Sequence, residues 1–151
     1  MLILDNVRSV ENTASIFRTA DGLGVKKIYL IGTTPTPLDR FGRPRSDFAK
    51  VSLGAETTVM WEYTKELMSL LKTLKNEGFN IISLEQDARS KDLKSFVAPE
   101  KFALVLGNEV DGVSKETLDL SNHILEIDMK GKKESLNVSV SAGIALYALL
   151  A

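Results

Sequence analysis

The sequence predicts an α/β fold in which helices flank a mostly parallel sheet. Short runs rich in Ile, Val and Leu alternate with longer amphipathic or polar stretches, as in chains whose parallel strands are joined by helical crossovers. Apolar residues fill these runs without alternation, which is expected when both faces of the sheet are covered. With 151 residues, 44% hydrophobic and 26% charged, the chain is expected to form one soluble domain with a buried core.

Six segments are predicted to be strands. Each is short and contains the branched apolar residues that favour extended structure on a buried sheet. The segments are Leu2–Leu4, Lys27–Ile31, Thr58–Trp61, Asn80–Leu84, Phe102–Leu106 and Ile124–Ile127.

Three helices are predicted: Asn12–Leu23, Lys65–Asn76 and one that begins near Asn137. The first has apolar residues at helical spacing, with Arg18 on its polar side and Gly24 at its end. The last is apolar nearly all round, which predicts a buried helix. In a chain of this size, part of that surface is expected to face a partner subunit.

The longest irregular stretch is predicted between residues 33 and 50, where three of the four prolines lie. Long loops in compact domains are usually functional or disordered. The net charge of −1 argues against a protein that coats nucleic acid without specificity. Any RNA site needs locally concentrated positive charge, which this stretch supplies. The candidate RNA-binding residues are Arg40, Arg43, Arg45 and Lys50.

Composition excludes several classes of site. The chain has no cysteine and one histidine, so disulfides, thiolate chemistry and His-rich metal sites are excluded, and no metal is expected. His123 lies in an apolar run and is interpreted as structural. No signal peptide and no apolar run of about 18 residues are apparent, so a cytoplasmic enzyme without membrane contact is expected. No glycine follows the first strand in DNVRSVEN, which argues against a dinucleotide-binding turn.

Three motifs carry the candidate chemistry: ENTASIFRTADGLGV (Glu11 to Val25), ALVLGNEVDGVS (Ala103 to Ser114) and IDMKGKKESLNVSVSAG (Ile127 to Gly143). Together they resemble the SpoU (TrmH-like) family of RNA ribose 2′-O-methyltransferases, within the SPOUT superfamily. The resemblance covers nearly the whole chain, and the third motif is the most specific.

Each motif also has a purely structural interpretation. The glycines of GNEVDG can form a ligand site at the end of a strand or a tight turn before a helix. Asn12 and the Ser135–Asn137 segment can serve as helix caps or face a substrate. In the third motif both roles are compatible, because the first turn of a helix offers free backbone N–H groups as well as side chains.

The resemblance implies a methyl transfer from S-adenosylmethionine to a ribose 2′-hydroxyl of a structured RNA. It implies a single catalytic domain over residues 1–151 without an accessory RNA-binding domain, which favours tRNA over rRNA as the substrate. It also implies a homodimer and a deep trefoil knot, formed by the segments around Leu84–Gly107 and Gly107–Gly131 with the last helix threaded through. Alternatives are a base methyltransferase of the same superfamily and a non-catalytic RNA-binding module.

The resemblance further implies which residues form the site. The catalytic residues are Arg18, Asn12, Glu109, Ser135 and Asn137, and the donor-binding residues are Leu84, Gly107, Asn108, Ile127, Met129 and Leu136. A guanidinium loses its proton only above a pKa of about 12, so Arg18 is better suited to grip a substrate phosphate than to accept a proton. Glu109 is a candidate to orient Arg18 or to assist proton removal. Ala14 and Asp128 depart from the residues usual in the family.

Overall fold

Seven strands form one sheet in the computed structural model, which describes all 151 residues, and every neighbouring pair of strands is parallel. The predicted α/β class is therefore confirmed. The strands are β1 (Leu2–Asp5), β2 (Lys27–Ile31), β3 (Met60–Thr64), β4 (Asn80–Leu84), β5 (Lys91–Asp92), β6 (Phe102–Leu106) and β7 (His123–Glu126). The helices are α1 (Val10–Gly22), α2 (Ser46–Ser52), α3 (Ala55–Thr58), α4 (Leu67–Asn76), α5 (Lys115–Leu120) and α6 (Val138–Leu150), with a 3-10 turn at Leu93–Ser95.

The strand order is β3-β2-β1-β6-β4-β7-β5, so the chain crosses the middle of the sheet between its first and second halves. Because all strands run in the same direction, their carboxyl ends meet at one edge. The loops that follow β1, β2, β4, β6 and β7 are brought together there, at the edge where open α/β sheets bind ligands.

Helices cover both faces of the sheet, which explains the uninterrupted apolar strands. On β1, Leu2 and Leu4 belong to the core cluster that includes α1 and α6, whereas Ile3 belongs to the cluster that includes α4 and α5. All three side chains are fully buried. A strand with a core on each side has no solvent-facing position for a polar residue.

Two predicted strand boundaries are displaced by local structure. The third strand begins at Met60 instead of Thr58, because Ala55–Thr58 form the short helix α3. The last strand is His123–Glu126 instead of Ile124–Ile127, so Ile127 lies in the following loop. The first helix begins at Val10 instead of Asn12.

Several short elements were not predicted. Helix α2 occupies the end of the stretch expected to be irregular, and Phe48 is its large buried residue, packed edge-on against Phe17 at 5.2 Å between ring centroids. Helix α5 and strand β5 have six and two residues. Elements of one or two turns carry too few residues for a periodic pattern.

Helix α6 is only partly buried in the single chain. Ala142, Ala145 and Leu146 are buried, but the opposite side of the helix leaves a row of large apolar side chains between 41% and 69% exposed. These residues are Val140, Ile144, Tyr147 and Leu150. The helix is therefore buried on one side, as predicted, and its other, apolar side stays uncovered in the single chain.

None of the helices combines the length and apolar character that a bilayer crossing requires. The trefoil knot stays a prediction of the resemblance.

Candidate active site

A cavity of about 800 Å³ lies at the carboxyl ends of β4, β6 and β7. Its walls come from the loops after these strands and from the segment that enters α6. All six predicted donor-binding residues line it, although they come from three separate stretches of the sequence. These are Leu84, Gly107, Asn108, Ile127, Met129 and Leu136.

The loop after β6 has a fixed shape because Asn108 bonds to it on several sides. The Asn108 side-chain oxygen accepts the backbone N–H groups of Val110 and Asp111 at 2.8 and 3.0 Å. Its amide donates to the Asn6 carbonyl at 2.8 Å, which ties the loop to the end of β1. Asn108 is 7% exposed, so it shapes the cavity wall from within the protein.

Gly107 and Gly112 permit the tight return of this loop. A Cβ at Gly107 would lie 2.4 Å from the Gly112 carbonyl carbon, closer than packed backbone allows. Gly112 has a φ of +69°, and a Cβ there would lie 2.2 Å from the Glu85 carboxylate. The two glycines are therefore required by close approach, in agreement with the turn interpretation, and the same turn forms a cavity wall.

Glu85 and Gln86, which follow β4 directly, also belong to the site and were not predicted. One Glu85 carboxylate oxygen accepts the Val113 N–H at 2.9 Å, and the other accepts the Gln86 N–H at 2.9 Å. The Gln86 amide donates to the Glu134 carbonyl at 2.6 Å. Their position at the end of a buried strand is the signal that was available in the sequence.

Asn12, Glu109 and Asn137 form a continuous polar seam at the rim of the cavity. The Asn12 amide donates to Glu109 Oε1 at 3.5 Å, and the Asn137 amide donates to Asn12 Oδ1 at 3.2 Å. The seam joins one residue from each motif. In the sequence, Asn12 is 97 positions from Glu109 and 125 positions from Asn137.

The two asparagines differ in their capping roles. Asn12 does not cap α1: Ser9 does, its hydroxyl accepting the Asn12 N–H at 3.1 Å. Asn137 caps α6 through its side-chain oxygen, which accepts the Ser139 N–H at 2.8 Å. The structural interpretation therefore fails for Asn12 and holds for Asn137, whose amide also belongs to the seam.

The remaining two predicted catalytic residues lie apart from the seam. Ser135 lines the cavity and is exposed. Arg18 is exposed on α1 and is not part of the cavity lining, and its side chain makes no hydrogen bond or ion pair within the chain. The suggestion that Glu109 orients Arg18 is thus not supported in the single chain, where Glu109 contacts Asn12 instead.

The charge of the cavity is uniformly negative. Five carboxylates line it and no lysine or arginine does. The carboxylates are Glu85, Glu109, Asp111, Glu126 and Glu134. Such a wall favours a cationic ligand and disfavours one that carries phosphates.

A second, smaller cavity of about 340 Å³ adjoins the first, since both are lined by Asn108, Asp111 and Gly112. No hydrophobic residue lines it. Asp5, at the end of β1, is 7% exposed there, and burial raises the pKa of its carboxyl, opposed by the hydrogen bond from the Asn6 amide. A polar space beside the larger cavity suits a polar acceptor molecule.

The four predicted RNA-binding residues follow β2 in the chain, and none of them lines either cavity. Arg43 pairs with Asp39 at 3.1 Å, and Arg45 pairs with Asp47 at 2.8 Å. Arg40 makes no ion pair, and Lys50 is exposed near the end of α2. None of the four cations forms an ion pair or a side-chain hydrogen bond with a candidate catalytic residue.

His123 packs against Phe96, with 4.9 Å between ring centroids, and lies at the amino end of β7. Burial, and then the charge of Lys91, lower its pKa. No group of three or more His, Asp or Glu side chains is arranged to hold a metal ion.

The two departures from the family pattern lie outside the cavity lining: Ala14 is buried in α1, and Asp128 pairs with Lys130.

Solved structures with this fold include RNA-modifying enzymes. The tRNA-modifying enzyme TrmH/SpoU of A. aeolicus superposes with a TM-score of 0.86 at 29% identity, over 99% of this chain and 73% of that one. An rRNA methyltransferase from Sinorhizobium meliloti, solved with AdoMet bound, has a TM-score of 0.87 at 24% identity, over 97% of this chain and 54% of that one. The second likeness establishes the shared fold.

Two curated relatives are similar along nearly all of this chain. The 23S rRNA (guanosine-2′-O-)-methyltransferase RlmB of Neisseria meningitidis is 35% identical over 146 residues, which are 97% of this chain and 56% of the relative. The tRNA (guanosine(18)-2′-O)-methyltransferase of Aquifex aeolicus is 30% identical over 147 residues, 97% of this chain and 66% of the relative. The chain thus spans less than two thirds of the length of either relative.

Residues 1–147 match the model of the SpoU rRNA Methylase family. The three motifs, the parallel sheet and the cavity at its carboxyl edge agree with this match, and the chain belongs to the SpoU methylase family.

Proposed function

We propose that this protein transfers a methyl group from S-adenosylmethionine to a ribose 2′-hydroxyl of a structured RNA. The observation that carries the proposal is the convergence of the three motifs on one cavity and its rim. Residues from β4, the β6 loop and the segment before α6 line the cavity, and the polar seam joins the first motif to the other two. The two relatives, each named as a guanosine 2′-O-methyltransferase, support the same reaction class.

The cavity fits the proposed donor by charge and shape. S-adenosylmethionine carries a sulfonium, which supplies an activated methyl group, and the five carboxylates of the lining favour that cation. Leu84, Ile127 and Leu136 provide apolar surface suited to the adenine ring. Gly107 brings backbone close to the cavity, because no side chain intervenes.

The chain itself must then align the acceptor and remove its proton. A sulfonium needs little further activation, so positioning supplies much of the catalysis. The Glu109 carboxylate, held by the Asn12 amide, lies on the cavity wall and is suited to take the proton of a ribose hydroxyl. Asn137 holds the other side of Asn12 and so fixes the seam against the start of α6.

We assign to Arg18 the binding of a phosphate next to the acceptor ribose. Its guanidinium stays protonated at neutral pH, and its planar set of donors suits a phosphate. In the single chain Arg18 lies outside the cavity, on α1, which packs along α6. We therefore place it at a subunit boundary, where a second copy completes the site.

The homodimer is proposed to form on the uncovered face of α6. Val140, Ile144, Tyr147 and Leu150 make a row of apolar side chains at helical spacing, typical of a helix that packs on a partner. Ile144→Glu should convert the dimer to a monomer in sedimentation analysis, because burial of an unpaired carboxylate opposes association. Met60→Glu is the matched control, because Met60 is 65% exposed and lies on the edge strand β3.

The relatives act on different RNAs, one on 23S rRNA and one on tRNA. We propose tRNA as the first substrate and guanosine as the first nucleoside to test, because both relatives are named as guanosine 2′-O-methyltransferases and one of them acts on tRNA. Fragments of rRNA form the second arm of the same assay.

Transfer of a labelled methyl group from S-adenosylmethionine to unmodified bulk tRNA and to rRNA fragments tests the proposal, with Arg18→Ala alongside. After alkaline hydrolysis, label in dinucleotides that resist cleavage identifies the 2′-hydroxyl as the acceptor. Arg18→Ala should lower turnover by about 10²-fold or more, since it removes an aligning group, while donor binding and thermal stability stay close to wild type.

The other outcomes separate the alternatives. Label confined to ordinary mononucleotides would indicate a base methyltransferase. Absence of donor binding by calorimetry would indicate a non-catalytic RNA-binding module. Normal methylation by Arg18→Ala would overturn the role assigned to that residue.

A further inference from the structure

A hairpin formed by residues 35–45 follows β2 and is fixed to the edge of the sheet that carries the cavities. Thr34, at its base, is 3% exposed. Its hydroxyl donates to the Leu4 carbonyl at 2.9 Å and accepts the Val7 N–H at 3.0 Å. Because Leu4 and Val7 flank the end of β1, the base of the hairpin lies beside the loop that leads to Asn12.

Hydrogen bonds within the hairpin hold its tip in one shape. Leu38 and Pro44 form an antiparallel bridge, and Asp39 closes the turn beyond it. The Asp39 carboxylate accepts the Phe41 N–H at 2.8 Å and the Arg43 N–H at 2.9 Å, and the Arg43 guanidinium at 3.1 Å. These hydrogen bonds lower the pKa of Asp39, and the bond from the Arg43 backbone N–H contributes most. The carboxylate is therefore ionised at neutral pH.

The tip of the hairpin presents one aromatic ring to solvent, next to two cations. The Phe41 side chain is 66% exposed. The guanidinium carbons of Arg40 and Arg43 lie 4.8 and 5.0 Å from its ring centroid. An apolar ring on a flexible loop would fold back onto the protein, whereas the Asp39 turn holds this one away from the core.

We infer that Phe41 stacks on an unpaired base of the RNA substrate while Arg40 and Arg43 contact the phosphates beside that base. Proteins that bind single-stranded RNA combine a ring that stacks on a base with cations that follow the backbone, and both parts are present here. A protein partner is less well matched, because one ring flanked by cations offers little apolar area. The inference rests on the proposed function for the presence of RNA, but it concerns a separate contact.

Binding of unmodified bulk tRNA and of rRNA fragments to Phe41→Ala tests this contact, with affinity measured across a range of salt concentrations. The affinity should fall about tenfold for the bound RNA, because stacking is lost. The dependence of affinity on salt should stay unchanged, because no phosphate contact is removed. Phe41→Trp should restore the affinity, and Arg40→Gln should reduce the salt slope by about 1.

Val97→Ala is the matched control, since it also removes an exposed apolar side chain, and it should bind RNA as the wild type does. Wild-type affinity in Phe41→Ala, with methylation intact, would overturn the inference and leave the proposed function standing. A change of oligomeric state in Phe41→Ala would instead assign the ring to a subunit contact. If the wild type binds donor but neither RNA, both the inference and the RNA substrate are wrong.

Discussion

The larger cavity and the hairpin lie at the same edge of the sheet and carry opposite charge. The cavity, built after β4, β6 and β7, is lined by five carboxylates and no cation. The stretch after β2 that contains the hairpin and α2 carries Arg40, Arg43, Arg45 and Lys50 against only Asp39 and Asp47. An acidic cavity wall suits a small cation, whereas an exposed basic hairpin suits a polyanion. A net charge of −1 therefore conceals two regions of opposite sign.

The two regions also differ in how they are held. The cavity walls depend on close backbone approach at Gly107 and Gly112 and on the side chain of Asn108. The hairpin depends on local hydrogen bonds to Asp39 and on Thr34 at its base. Substitutions in one region should therefore leave the other intact, and each of the following predictions depends on that independence.

The largest effect is expected for Gly107→Ala, which should weaken S-adenosylmethionine binding by about a hundredfold because the new Cβ lies 2.4 Å from the Gly112 backbone. Calorimetric titration with the donor measures this. Gly131→Ala is the control, since no heavy atom lies within 4 Å of its added Cβ. Unchanged donor affinity in Gly107→Ala, or weakened RNA binding without donor, would contradict the separation of the two regions.

Asn12→Ala, at the seam between the regions, should lower methyl transfer by between about tenfold and about a hundredfold, because Glu109 loses its partner. Its thermal stability should stay close to wild type, because Ser9 caps α1. Ser9→Ala should show the reverse pattern, with a loss of about 1 kcal/mol in the free energy of unfolding and turnover near wild type. Steady-state kinetics and thermal denaturation of the pair make the comparison. If Asn12→Ala and Ser9→Ala lower the stability equally, the role of Asn12 is structural.

Replacement of Arg40, Arg43 and Arg45 by Ala should weaken RNA binding about tenfold near physiological salt and flatten its salt dependence. Donor binding should not change, because none of the three lines the cavity. Fluorescence anisotropy with bulk tRNA at several salt concentrations provides both quantities. If the dependence of RNA affinity on salt is unaltered, the hairpin does not contact the RNA phosphates.

The smallest effect concerns pH and the hairpin alone. The pKa of Asp39 lies below its ordinary value of 3.8 in the folded protein, so its contribution to the hairpin is complete above that value and is lost as the pH falls through the lowered pKa. Amide signals of Phe41 and Arg43 in NMR spectra should therefore titrate with a midpoint below 3.8. A midpoint at or above the ordinary value would indicate that the Asp39 hydrogen bonds do not persist in solution.

The sequence predicted the buried central strands well and the short helices poorly. The bounds of β2, β4 and β6 agree with the structure, because five consecutive residues in each fill both faces of a buried sheet. Helices α2, α3 and α5 have seven, four and six residues and left no periodic signal. Their positions depend on single buried side chains, such as Phe48, and on the packing around them.

The candidate site shows the same division. The resemblance predicted six donor-binding residues, five within the motifs and Leu84 outside them, and all six line one cavity. Glu85 and Gln86 were missed, because neither belongs to a motif and their roles arise from contacts with residues 28 and 48 positions away. Arg18 was identified by its motif, but the motif did not indicate that a single chain leaves it outside the cavity.

By itself, the sequence determined the parallel α/β class, the family and the residue types at the cavity. These depend on local apolar runs and on motifs that are contiguous in the chain. Tertiary structure alone decided that Asn12, Glu109 and Asn137 form one seam, that α6 keeps an apolar face, and that Phe41 is displayed on a braced turn. Each of these features depends on tertiary contacts between segments that are distant in the sequence. The periodicity of side chains along the chain does not specify such contacts.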